Sequence, residues 1–257
     1  MTRRAGPWSL NAPDWLTARP IAHRGLHARA TGLVENTIAA AEAAIGKGYA
    51  IECDVQRTRD GEAVVFHDFT LDRLMRAKGD VAAFSAGDLA GLAHKECDEG
   101  IATLSGFLAA VAGRTPVIVE IKSRFDGDVR LAARALAAIA DYAGPVGLKT
   151  FDPRVLACLR AQGASRPLGL VAEACYETGE WLELAPQQRA ALRELRHFPD
   201  TRPDFLSWNV NDLPHAVPML CRAGIGMPVM TWTVRSPEDR SRAELWADQI
   251  VFEGFEA

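Results

Sequence analysis

The chain has 257 residues, 48% hydrophobic and 24% charged, a composition that excludes a disordered or fibrous protein. A net charge of −4 argues against a nucleic-acid surface and gives no long-range attraction for an anion, so an anionic ligand would need local positive charge. Five scattered cysteines with no C-x-x-C pair argue against a disulfide framework or a zinc ribbon, and no run approaches the length of a membrane span.

Residues 1–17 contain two arginines but no apolar core of leader length, and read as an N-terminal arm pinned by Trp8 and Trp15. With the reduced-thiol pattern this makes the cytoplasm the expected location. The first strand-like segment, 19–23, runs into "IAHRGLH". After Glu35 a helical face carries Ile38, Ala41 and Ile45. Strands follow at 50–55 and 62–67, separated by Asp60-Gly61, a strong hairpin signal. Folding about that turn sets Asp54 near His67. The next strands are 116–121 and 146–150, and between them Leu131, Ala135, Leu136 and Ile139 share one helical face. Leu156 and Leu159 mark a short helix before the strand at 168–173. The charged, Leu- and Arg-rich stretch 175–203 reads as a helix and loop over a barrel mouth, and strands at 205–209, 228–234 and 249–253 complete the chain.

Strands alternating with helices imply a parallel sheet with crossover connections. Nine strands are one too many for a (βα)₈ TIM barrel, and the return arm of the hairpin, 62–67, accounts for the surplus. Residues 1–257 read as one such domain.

Barrel chemistry sits at the C-terminal ends of strands. There the sequence places His23-Arg24, Glu52-Cys53-Asp54, His67-Asp68 and Glu120-Ile121-Lys122. Strand alternation sends Glu52 and Asp54 to the same face, and burying both is costly unless a cation neutralises them. With Glu120 they suit a hard divalent cation such as Mg²⁺ or Ca²⁺; a buried salt-bridge network, for example Lys122 against Asp54, is the alternative. His23 and His67 read as a general acid and base pair, although either alone could be a hydrogen-bonded core histidine. Asp68 could orient one imidazole or cap a turn. Arg24 and Lys122 supply fixed positive charge suited to phosphate oxygens. Together these groups suit displacement at phosphorus. Trp208 and Trp232 lie within strands, where they could line a pocket or fill the core. Gly25 lets the chain turn away and leaves room for a phosphate.

The run of "AHRG", "ENT", "ECDVQRTRDGEAVVFHD", "EIKS", "TFD" and "WTV", in that order, resembles the glycerophosphodiester phosphodiesterase family from about residue 20 onward. The resemblance implies a barrel that hydrolyses a glycerophosphodiester to glycerol 3-phosphate and an alcohol. It matches His23 and His67 to the catalytic pair, Glu52, Asp54 and Glu120 to metal ligands, and Arg24 and Lys122 to phosphate contacts. It matches Glu35 and Asn36 to support of the first loop and Trp232 to an aromatic lining of the pocket. His23 as base and His67 as acid follow from the resemblance only. Two departures stand out: "IVFEGF" replaces the usual T-D pair after the last strand, with Glu253 as a substitute acid, and Lys149-Thr150 stands where a serine is common. Both are expected to touch the alcohol side of the pocket. The expected partner is the small substrate alone, on a monomer or homodimer. An amidohydrolase-like barrel is a weaker reading, because His-x-His is absent from the first strand, and a non-catalytic phospho-ligand binder is weaker still.

Overall fold

The computed structural model describes residues 10–257, so Trp8 and most of the N-terminal arm lie outside the described residues. Ile21–Ala22 (β1) is short, yet the barrel closes on it. It pairs in parallel with Ala50–Arg57 (β2) on one side and Gln249–Phe252 (β9) on the other. Between these run Val117–Ile121 (β4), Val146–Thr150 (β5), Leu168–Ala172 (β6), Phe205–Asn209 (β7) and Val229–Val234 (β8), each parallel to its neighbours. Among the described residues this is a closed barrel of eight parallel strands. The ninth strand, Ala63–Val65 (β3), bonds outside it, antiparallel to β2 in the register Val55↔Val65, with the Asp60-Gly61 turn between them. Phe66 N donates to the Asp54 carbonyl (2.9 Å), which brings the residues around Asp54 and His67 together as the hairpin predicts.

The strands read as unbroken apolar runs because both faces are covered. The outward residues of β2, Ile51, Cys53 and Val55, pack with helix residues such as Ala41, Phe107 and Leu131. Inward residues fill the barrel base: Ile21, Ala50, Ile118, Phe205, Met230 and Val251, closed from below by Leu16 and Trp15 of the arm. Trp15 thus pins the arm as expected. Trp208 faces outward into the helical layer and stacks on His215 at 5.0 Å, so it fills core.

Three of the longer helices begin on side-chain caps. Thr37 caps Ile38–Gly46, Asp152 caps Pro153–Ala161 and Ser236 caps Pro237–Trp246, each accepting a backbone N–H that the first turn leaves unpaired. The long connection after β3 builds its own apolar cluster from Phe66, Leu71, Met75, Val81, Leu89 and Ile101 beside the barrel mouth. The stretch 175–203 forms a 3₁₀ turn, Gly179–Glu183, and two helices, Pro186–Arg193 and Phe198–Thr201. The turn overhangs the mouth.

Candidate active site

At the C-terminal end of the barrel the inward positions change from apolar to ionic. Register aligns Asp54 with Glu120 and Glu120 with Lys149. Glu52, Asp54 and Glu120 are buried, and one carboxylate oxygen from each lies within 4.8 Å of the others. Three basic side chains face them. Lys122 Nζ is 2.8 Å from Asp54 Oδ1 and 2.5 Å from Glu120 Oε1. Lys149 Nζ is 3.1 Å from both Glu52 Oε1 and Glu120 Oε2. Arg24 Nε is 3.3 Å from Asp54 Oδ2. The salt-bridge network that the sequence offered as an alternative is therefore present, within a carboxylate cluster compact enough for a metal.

The charges hold one another. Burial alone would raise the Asp54 and Glu120 carboxyls, but Lys122 outweighs it with help from His67 and Lys149, leaving Asp54 well below the carboxylate range and Glu120 at about 2. Burial likewise works against the ammonium groups, and the facing carboxylates hold Lys122 and Lys149 above their ordinary values. Asn36 fixes Asp54 from two sides: its Nδ2 donates to Oδ2 (3.0 Å), and its Oδ1 accepts from the Asp54 backbone N (3.1 Å).

Both histidines sit at the rim in the same arrangement. His23 Nδ1 meets Glu253 Oε2 at 2.5 Å, and Arg235 Nε holds the other oxygen of that carboxylate at 2.6 Å. His67 Nδ1 meets Asp68 Oδ1 at 2.7 Å, and Arg73 Nε holds the other oxygen at 2.6 Å. Each carboxylate thus accepts from Nδ1 and leaves Nε2 for other work; His23 Nε2 points to Glu52, 3.9 Å away. Burial would raise Glu253 and Asp68, but hydrogen bonds from the histidines and arginines take both well below the carboxylate range. Gln56 Nε2 donates to the His67 carbonyl (2.7 Å), fixing the backbone at that histidine.

The first loop owes its shape to Arg24 and Gly25, both left-handed at φ 58° and 79°. For Arg24 this conformation is uncommon. Its backbone N donates to Glu52 Oε2 (3.1 Å), and its carbonyl accepts from Asn36 N (2.9 Å), which locks it. Glu35 joins this loop to the connection after β3. It accepts from Arg24 (2.7 Å) and takes two hydrogen bonds of 2.8 Å from Arg73. Burial raises Glu35, but Arg73 and then Arg24 dominate and bring it to about 2.

A cleft of about 350 Å³ opens over the cluster, lined by His23, Arg24, His67, Lys122 and Trp232. Trp232 is anchored by Nε1 on the Ser207 carbonyl (3.0 Å). A neighbouring groove of about 690 Å³ shares His67, Glu120, Lys122, Phe151 and Trp181 with the cleft. Its walls are aromatic: Trp181 contacts Phe151 at 5.2 Å and Phe125 at 5.8 Å.

The sequence profile of the Glycerophosphoryl diester phosphodiesterase family matches residues 23–252, from the first strand-end histidine to the last strand. The chain belongs to this family. The glycerophosphodiester phosphodiesterase of Caldanaerobacter subterraneus subsp. tengcongensis is 35% identical over 144 residues, 53% of this chain and 55% of that protein, so the chain spans about half the length of this relative. Among solved structures, a phosphodiesterase of Oleispira antarctica in complex with the product sn-glycerol-3-phosphate has a TM-score of 0.75 at 19% identity, covering 93% of each chain. A Thermotoga maritima glycerophosphodiester phosphodiesterase has a TM-score of 0.69 at 21% identity, covering 90% of this chain and 92% of that one. At these identities the structural likeness speaks for the fold. No helix among the described residues is long and apolar enough to cross a membrane.

Three expectations need correction. Gly25 makes room for a helix rather than for a phosphate: a Cβ there would lie 2.8 Å from Ala40 Cβ and 2.9 Å from its backbone carbon. Lys149 does not line the alcohol side alone but reaches Glu52 and Glu120 at the cleft floor. Glu253 likewise binds His23 directly. Lys149 escaped the reading of cluster residues, although its inward position in "VGLKT" follows the same alternation that places Glu52 and Asp54.

Proposed function

We propose that this chain hydrolyses glycerophosphodiesters to sn-glycerol 3-phosphate and an alcohol, using His23 and His67 as proton carriers beside a divalent cation. The observation that carries this reading is the convergence of two carboxylate-oriented histidines on one buried cluster of three carboxylates and three basic side chains. Membership of the family supports it.

Glu52, Asp54 and Glu120 are the residues that would hold the cation, Mg²⁺ or Ca²⁺ by the all-oxygen character of the set. Glu52 Oε1 and Asp54 Oδ1 are buried, and the groups that meet them are the ammoniums of Lys149 (3.1 Å) and Lys122 (2.8 Å). An all-oxygen set of buried carboxylates that already attracts cationic partners fits a divalent cation. A divalent cation held there supplies Lewis acidity toward a phosphoryl oxygen and the attacking hydroxyl.

The chain's own residues do the rest. Arg24 and Lys122, which line the cleft, pair with phosphoryl oxygens and offset the charge that builds on them as phosphorus is attacked. His23, its Nδ1 engaged by Glu253, takes the proton of the attacking hydroxyl at Nε2. His67, its Nδ1 engaged by Asp68, delivers a proton from Nε2 to the leaving alcohol oxygen. His67 lines both the cleft and the aromatic groove, which favours it as the acid if the alcohol leaves along the groove. With water as the nucleophile one P–O bond forms and the P–O bond to the alcohol breaks. With the neighbouring glycerol hydroxyl the same exchange gives a cyclic phosphate, whose ring P–O bond a water then opens, so one water is consumed overall by either route. Trp232 supplies an aromatic wall of the cleft.

The test is a panel of glycerophosphodiesters with a coupled glycerol 3-phosphate readout in Mg²⁺ or Ca²⁺. Release of glycerol 3-phosphate from at least one substrate is expected. Its absence from all of them contradicts the assignment.

A further inference from the structure

The cluster holds a second, more deeply buried lysine. Lys149 stands at an inward position of β5, its side chain 2% exposed, with its Nζ 3.1 Å from both Glu52 Oε1 and Glu120 Oε2. Lys122 differs: its side chain is 16% exposed, and it stands at the cleft wall beside Asp54 and Glu120. An apolar residue at the Lys149 position would continue the barrel packing below it, where Ile118, Phe205 and Met230 meet. An ammonium there gives up its hydration, and only a carboxylate partner compensates for that loss.

We propose that Lys149 is a resident counter-ion of the carboxylate cluster and lowers its affinity for a divalent cation. The inference rests on reading Glu52, Asp54 and Glu120 as the cation site. Three carboxylates carry three negative charges, and three basic groups face them. A divalent cation replaces the charge of the two more exposed ones, Arg24 and Lys122, and frees them for phosphoryl oxygens, while the buried Lys149 stays as the third. Without Lys149 the same oxygens would attract a cation more strongly, because charge pairs at contact distance in a poorly solvated site interact by several times the thermal energy. Lys149 thereby makes the cation exchangeable, so that occupancy follows the free divalent-cation concentration. It is a positioning residue as well: its single ammonium ties the carboxylates of β2 and β4 together across the floor.

The test is calorimetric titration of Mn²⁺ into the full chain and into Lys149→Met, with Tb³⁺ as a second probe read by luminescence. Lys149→Met should bind Mn²⁺ roughly tenfold tighter or more, and Tb³⁺ should gain by a larger factor because the repulsion scales with ion charge. A merely structural lysine predicts the reverse, since its loss would loosen the ligands and weaken binding. Unchanged or weaker Mn²⁺ binding by a folded Lys149→Met overturns the inference while leaving the cation site standing. Absence of Mn²⁺ binding to the unsubstituted chain overturns both. If Lys149→Met does not fold, Lys149→Gln, which keeps a hydrogen-bond donor toward Glu52 and Glu120 but not the charge, is titrated in its place, and the same tightening is expected; unchanged or weaker binding overturns the inference.

Discussion

Replacing Glu35 by Gln tests the electrostatic frame that holds the first loop. Glu35 is 11% exposed and accepts from Arg24 at 2.7 Å and from Arg73 in two bonds of 2.8 Å. Its carboxyl is brought from 4.5 to about 2 in the folded chain. Each tenfold change in proton affinity corresponds to about 1.4 kcal/mol, so the shift contributes about 3 kcal/mol of stability at pH 7. The folded value lies below the unfolded one. The contribution is therefore present above about pH 4.5 and lost as pH falls toward 2, with under half remaining near pH 3. Urea unfolding followed by circular dichroism at pH 7, 4 and 3 measures it. Glu35→Gln should be less stable than the parent by about 2–3 kcal/mol at pH 7, roughly 4–12 °C in Tm for a chain of this size, and the gap should narrow by half or more at pH 3. The variant should also show a raised KM, because Arg24 loses its tether. A gap of constant size across this range, or none at pH 7, refutes the reasoning.

His23→Ala and His67→Ala should each lose roughly 10²-fold or more in kcat, and near-normal turnover in either removes its assigned role. A p-nitrophenyl phosphodiester, whose leaving group needs no proton, should rescue His67→Ala but not His23→Ala; the opposite pattern exchanges acid and base. Glu253→Gln keeps the shape of the carboxylate while removing the charge that orients His23, and should lower kcat roughly 10–100-fold with little change in KM, read from steady-state kinetics. Chelation should abolish activity and added Mg²⁺ or Ca²⁺ restore it. The circular dichroism spectrum should stay unchanged throughout, because Arg24, Lys122 and Lys149 neutralise the carboxylates in the absence of the cation. Gly25→Ala should destabilise the chain by about 2–4 kcal/mol in thermal unfolding, combining left-handed backbone strain with a clash against Ala40.

The barrel was legible because its strands and helices announce themselves by period, and the Asp60-Gly61 turn accounts for the ninth strand from the sequence alone. The cluster was legible through strand alternation: Glu52 and Asp54 share a face whatever the tertiary detail. Lys149 obeys the same rule but stands alone in its strand, where a single inward lysine carries no pattern. The role of Glu253 could not be reached from periodicity, since it meets His23 only because β9 closes on β1, 230 residues away in sequence. Gly25 was assigned the wrong neighbour for a related reason. A left-handed turn can be inferred from a glycine, but the body it makes way for, here the helix Ile38–Gly46, is a matter of packing. Trp181 entered the groove through a 3₁₀ turn whose position over the mouth the sequence suggested but whose inward-facing side chain it did not.

The most direct measurement follows sn-glycerol 3-phosphate released by the purified chain in Mg²⁺ from the glycerophosphodiester of the panel that it cleaves fastest, beside the same chain carrying both His23→Ala and His67→Ala. The account predicts one equivalent of glycerol 3-phosphate per alcohol from the parent and a rate at least about a hundredfold lower from the double variant. Equal rates from the two proteins would contradict it.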